Sequence, residues 1–193
     1  NILDSARIEN VKKIFLMSSI EVYDQIKGEI TENAKVIWEK LYSAGAFPCG
    51  YRAIESLRLE KGYLAWGGEI NTEYNPYEAG LGFAISKKKS DFYGAKALTS
   101  LKTPARRLIA IIFDDIRQVP LGSEPIKFGD KVIGRIKSGG QGYTINKAIA
   151  YAYLPIEFTT AGTKVDVEFF GSWHQGTIAT TPLYDPTGSK IKA

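Results

Sequence analysis

Apolar positions recur at helical spacing in the first hundred residues and alternate with polar ones beyond Pro104, so the chain divides into a mixed part and a strand-rich part. Ile30, Ala34, Ile37 or Trp38, and Leu41 fall on one helical face. Thr31 can cap the first turn, Glu32 suits its positive end, and Gly45 can stop the helix. A second helix is predicted over Tyr51 to Lys61, where Ala53, Ile54 and Leu57 share a side and Gly62 follows. Asp91 is placed to cap a short third helix over Tyr93 to Leu101, which must end before Pro104. Upstream, VKKIFLMSSIEVY over residues 11–23 alternates in part and predicts a strand.

After Pro104 the period changes to two. Leu108 to Phe113 is an apolar β-branched run, Lys131 to Lys137 follows the Gly129-Asp130 turn, and Ala148 to Leu154 alternates small with aromatic residues. Lys164 to Phe170 alternates cleanly, Gly171-Ser172 can turn the chain, and Trp173 to Thr180 can return as its hairpin partner. Five or six strands in roughly 80 residues predict a small antiparallel barrel or sandwich. The boundary falls near residues 102–106, giving domains 1–103 and 104–193. The run Ser138-Gly139-Gly140-Gln141-Gly142 leads into no helix and reads as a flexible turn.

A chain of 193 residues with 44% hydrophobic content can bury a core and is not disordered. No apolar run reaches the roughly 20 residues of a membrane-spanning helix. A lone cysteine, Cys49, and a lone histidine, His174, exclude an internal disulfide and a histidine or multi-cysteine metal centre, so no metal is expected. Cys49 has no basic neighbour in sequence and reads as a packed thiol; His174 reads as a strand residue without a catalytic role. The net charge of +4 is a small excess that suits anionic partners. Nucleic acid is disfavoured, because the one dense basic run, Lys87-Lys88-Lys89, reads as a solvated loop. No phosphate-binding glycine loop, nucleophile elbow or dinucleotide fingerprint is present. The chain starts at Asn1 with no signal-like segment, which reads as a processed or truncated piece of a longer protein.

Tyr63, Trp66, Tyr74 and Tyr77 offer aromatic faces for a planar heterocycle, although packing is the more ordinary use of such residues. They lie in GYRAIESLRLEKGYLAWGGEINTEYNPYEAGL, residues 50–81, which with Phe83, Asp91-Phe92-Tyr93-Gly94 and Ala97-Leu98 resembles the core of the glycine-cleavage T-protein, or aminomethyltransferase, superfamily. Within it, Tyr51 to Tyr63 followed by Trp66-Gly67 most resembles the C-terminal half of flavin-dependent dimethylglycine and sarcosine dehydrogenases. Gly122 to Ile126, Gly134 to Gly140, Ala148 to Pro155 and Pro182 to Pro186 resemble that family's C-terminal barrel.

The resemblance implies an α+β chain: the C-terminal part of a folate-binding domain followed by a small antiparallel β-barrel. It also implies tetrahydrofolate as cofactor and one-carbon transfer as the chemistry, with FAD confined to an upstream domain. A folate slot needs aromatic walls, a carboxylate for the pterin N–H groups and cations for the glutamate tail. Glu21, Arg52, Tyr63, Trp66 and Tyr184 are the folate-binding candidates. The family's catalytic aspartate belongs to a segment expected upstream, so no residue here inherits that role. Arg52 stands two positions before Ile54, which occupies the place of a folate-contacting arginine, while Arg58 and Glu60 are expected to be structural. By itself the chain is expected to be colourless, to bind folate poorly and to transfer no carbon. Its expected partners are tetrahydrofolate and the N-terminal domains of its own protein, in the cytoplasm or, in a eukaryote, the mitochondrial matrix. The alternatives are a piece of a free-standing aminomethyltransferase and a non-catalytic folate- or RNA-binding relative.

Overall fold

The computed structural model describes residues 29–86, 88–89, 91–101 and 103–190. The strand expected in residues 11–23, and Glu21 with it, lies outside the described residues. Two compact units are present, Asn1–Pro48 and Cys49–Ala193. The described part of the first is helix α1 (Glu29–Ser43), which begins before Thr31 and leaves Ile37 and Trp38 exposed. Gly45 adopts the left-handed conformation just beyond it, the stop the sequence predicts.

The second unit holds α2 (Tyr51–Lys61), α3 (Ala95–Ser100) and six strands: β1 (Arg106–Phe113), β2 (Pro125–Phe128), β3 (Lys131–Gly142), β4 (Lys147–Pro155), β5 (Lys164–Phe169) and β6 (Ser172–Ala179). Helix α3 is shorter than expected. Its N-cap is Gly94 at φ 86°, not Asp91, because the chain turns through a left-handed position that glycine adopts without steric cost.

All the strand pairings are antiparallel, and the sheet closes in the order β1-β4-β3-β2-β5-β6. Closure gives every strand a neighbour on both sides, although β2 meets β5 through two residue pairs and β1 meets β6 through three. Alternation then decides what fills the inside. Ile109, Ile111 and Phe113 of β1 meet Val165, Val167 and Phe169 of β5, and Ala148, Ala150 and Ala152 of β4 supply the small residues that a narrow barrel needs.

Strand β4 is buried on both faces. Its outward residues Ile149 and Tyr151 pack with Ala110 and with Leu59, the fully buried anchor of α2. The glycine run explains how the helix approaches so closely. It is the second half of β3 and not a turn: a Cβ on Gly140 would stand 2.6 Å from Leu59 Cδ1, and one on Gly142 would stand 2.7 Å from Ile149 Cδ1. Gly140 gives clearance beneath the helix, and Gly139 and Gly142 give it chiefly to Pro120 and to Ile149 and Ile145, reasons that local sequence does not display.

Candidate functional site: the end of helix α2

Helix α2 ends at Gly62, a left-handed cap, and the Tyr63 N–H returns to the Arg58 carbonyl at 2.9 Å. Three charged side chains fix this end to the barrel. Arg58 grips Glu69 with both terminal nitrogens, at 2.9 and 3.1 Å, and also bonds Glu55. Glu69 is fully buried and accepts further bonds from the Ala65 N–H, at 2.8 Å, and from the Ser138 hydroxyl. Burial pushes its carboxyl pKa up, but these hydrogen bonds and the Arg58 charge outweigh burial and hold it below its ordinary 4.5.

Glu60 lies on the opposite side of the helix. Its carboxylate accepts the Thr144 and Ile145 N–H groups, at 2.6 and 3.2 Å, and its carbonyl accepts those of Leu183 and Tyr184, each at 2.9 Å. Lys61 bonds both the carbonyl and the carboxylate of Asp185. Arg58 and Glu60 are therefore structural, as their place in the sequence predicts.

What remains free at this end is aromatic. Tyr63 is 59% exposed, Trp66 73% and Phe83 85%, although stable chains seldom leave such side chains clustered in water. Tyr63, Tyr77 and Phe83 line a cleft of about 870 Å³ whose other walls include Leu64, Ile70, Leu81 and Pro182, with Arg107 as a cation. That size suits a ligand of folate dimensions.

The sequence candidates are only partly brought together. Tyr63 lines the cleft, whereas Trp66 stands beside Gly67 in the adjoining turn, bridged to Ile70, and is not part of the wall. Tyr184 reaches the same end of α2 through its N–H, but its hydroxyl bonds Lys190 at 2.6 Å. Arg52 is exposed in the first turn of α2, about 13 Å along the axis from Lys61. One pterin ring cannot touch both ends, though a long ligand can. Glu21 lies outside the described residues.

Phe83 and Arg107 were not among the sequence candidates. Phe83 was legible only as part of the resemblance, and Arg107 looked like any polar strand residue. Cys49 corrects an expectation: its thiol is exposed and not packed. Tyr74 does pack, stacking on Tyr153 with ring centres 3.6 Å apart, and His174 stacks on Phe169 at 4.0 Å. Among the described residues no group of carboxylate, histidine and cysteine side chains could hold a metal, and no helix is long and apolar enough to cross a membrane.

Two family models match the chain: the GCVT N-terminal domain over residues 29–89 and the glycine cleavage T-protein C-terminal barrel domain over residues 106–185. The mitochondrial dimethylglycine dehydrogenase of Rattus norvegicus is 37% identical over 172 residues, 83% of this chain and 20% of that protein. An aminomethyltransferase of Symbiobacterium thermophilum is 38% identical over 160 residues, 79% of this chain and 42% of that protein. The crystal structure of the glycine cleavage system aminomethyltransferase T from Bartonella henselae superposes with a TM-score of 0.72 at 28% identity, covering 80% of this chain and 45% of that one. The chain thus spans about a fifth to two fifths of the curated relatives it matches.

Proposed function

Because this chain belongs to the glycine cleavage T-protein family, its two segments matching that family's N-terminal and barrel domains in order, we propose that it is the folate-handling C-terminal part of a one-carbon-transfer enzyme of the dimethylglycine dehydrogenase type. Tetrahydrofolate, when bound, supplies the nitrogen atoms that accept the one-carbon unit. The observation that carries this reading is the pair of exposed aromatic residues Tyr63 and Phe83 lining the cleft at the end of α2, with exposed Trp66 in the adjoining turn.

The fit of a pterin to these residues is uneven. Aromatic walls and a cation are present, but the cleft has no carboxylate lining it among the described residues, and Glu60 and Glu69 are committed to backbone and Arg58. Glu21, which lies outside the described residues, is the candidate that the resemblance offers for the pterin N–H groups. Tyr63 and Trp66 offer faces to the ring, Arg52 and Arg107 draw the glutamate carboxylates, and Tyr184 borders the site. Proton transfer is left to a residue outside this chain, and so is FAD-dependent amine oxidation. The two family matches, one ending at residue 89 and the other beginning at 106, support a domain boundary near residue 104, although α2 packs on the barrel within one compact unit. Mitochondrial relatives support a matrix location if the source is a eukaryote.

A calorimetric titration with tetrahydrofolate tests this. Binding by the chain should be weak, with a Kd of about 1 mM, equivalent to about 4 kcal/mol, since exposed polar contacts compete with water. Tyr63→Ala and Arg52→Ala should each weaken it several-fold. Binding heat unaffected by either substitution would overturn the assignment.

A further inference from the structure

A second cleft, of about 710 Å³, opens on the barrel wall and shares no lining residue with the first. One of its cations comes from an irregularity in the sheet. Ile136 pairs with Ala152 and Ser138 with Tyr151, so Lys137 is an extra residue in β3, a bulge of the kind that re-aims a side chain. Lys137 Nζ stands 5.0 Å from the centre of the Tyr74 ring, which lies flat on Tyr153. Arg135 lines the same cleft, and among the described residues neither cation is paired with a carboxylate. Arg106, over the Tyr74 ring at 4.6 Å, is tied to Glu78 at 2.8 Å.

Tyr153 is the second, independent observation. It is only 7% exposed and contributes to the cleft, yet its buried hydroxyl has no hydrogen-bond partner. A phenol withdrawn from water without a partner carries a penalty that a well-packed barrel normally avoids by using phenylalanine. Glu73 also lines the cleft, its carboxylate accepting the Asn71 amide at 3.3 Å, and the cations Arg106, Arg135 and Lys137 outnumber it. A donor without an acceptor, beside two cations without an ion pair and the apolar walls Val132, Ile133 and Pro155, calls for a ligand that ends in an oxyanion.

We propose that this cleft binds a small molecule with a planar apolar body and a terminal oxyanion, carboxylate or phosphate, which Lys137 and Arg135 neutralise and the Tyr153 hydroxyl bonds. The site is independent of folate binding at the end of α2. Amide shifts of the isotopically labelled chain, followed during titration with benzoate, with phenyl phosphate and with neutral benzyl alcohol, test it and distinguish the two anions. At least one anion should saturate shifts at Gly134, Lys137 and Tyr153, while benzyl alcohol should not. Lys137→Ala combined with Arg135→Ala should weaken that anion by at least about tenfold. Tyr153→Phe, which keeps the ring stack, should weaken it by about tenfold as well. No saturable shift with either anion, saturation confined to residues of the other cleft, or a Tyr153→Phe variant of higher Tm and unchanged affinity would overturn the proposal.

Discussion

Glu69 is a fully buried carboxylate whose four hydrogen bonds come from Arg58, Ala65 and Ser138, and its removal leaves Arg58 with Glu55 as its ionic partner and the Tyr63 carbonyl. Glu69→Gln should therefore lower the stability at pH 7 by about 1–3 kcal/mol, measured by urea unfolding. The pH dependence has a definite sign. A carboxyl whose pKa is depressed on folding gives stability that is complete above its unfolded value, here 4.5, and is lost as the pH falls through the lower folded value. The gap between the natural chain and Glu69→Gln should thus be full at neutral pH and close below 4.5. At the same scale, Gly140→Ala should cost about 1–3 kcal/mol, because its methyl group would meet Leu59 Cδ1 at 2.6 Å.

At the scale of elements, what holds α2 against β4 is Leu59, seated on Ala110, Ile149 and Tyr151. Leu59→Ala should destabilise by about 2–5 kcal/mol, whereas Leu57→Ala, on the exposed side of the same helix, should stay within about 0.5 kcal/mol. Comparison of the two urea midpoints checks this. The strands were legible where one residue in two is apolar, as in Lys164–Phe169, and helix α2 was legible from its spacing and its glycine cap. Pro125–Phe128 was not, since four residues give too short a pattern to register. The Ser138-to-Gly142 run misled for a physical reason: Gly140 answers to Leu59 of a helix some 80 positions away in sequence and Gly139 to the Pro120 backbone, and no local pattern encodes that.

At the scale of the whole molecule, the sequence resemblance and the closed barrel agree on the fold, and Tyr63 and Phe83 lie exposed beside a cleft at the end of α2. Neither the cleft of the Tyr153 hydroxyl nor the cation of the first cleft, Arg107, could be read beforehand. Both depend on which strands become neighbours. The central claim is that this aromatic end of α2 handles folate, and the most direct test is to map amide shifts of the labelled chain during titration with tetrahydrofolate. The account predicts weak, saturable shifts concentrated on Tyr63 to Ile70 and Leu81 to Phe83, with smaller ones in the first turn of α2. Shifts absent from those segments at millimolar tetrahydrofolate, or gathered instead around Lys137 and Tyr153, would contradict it.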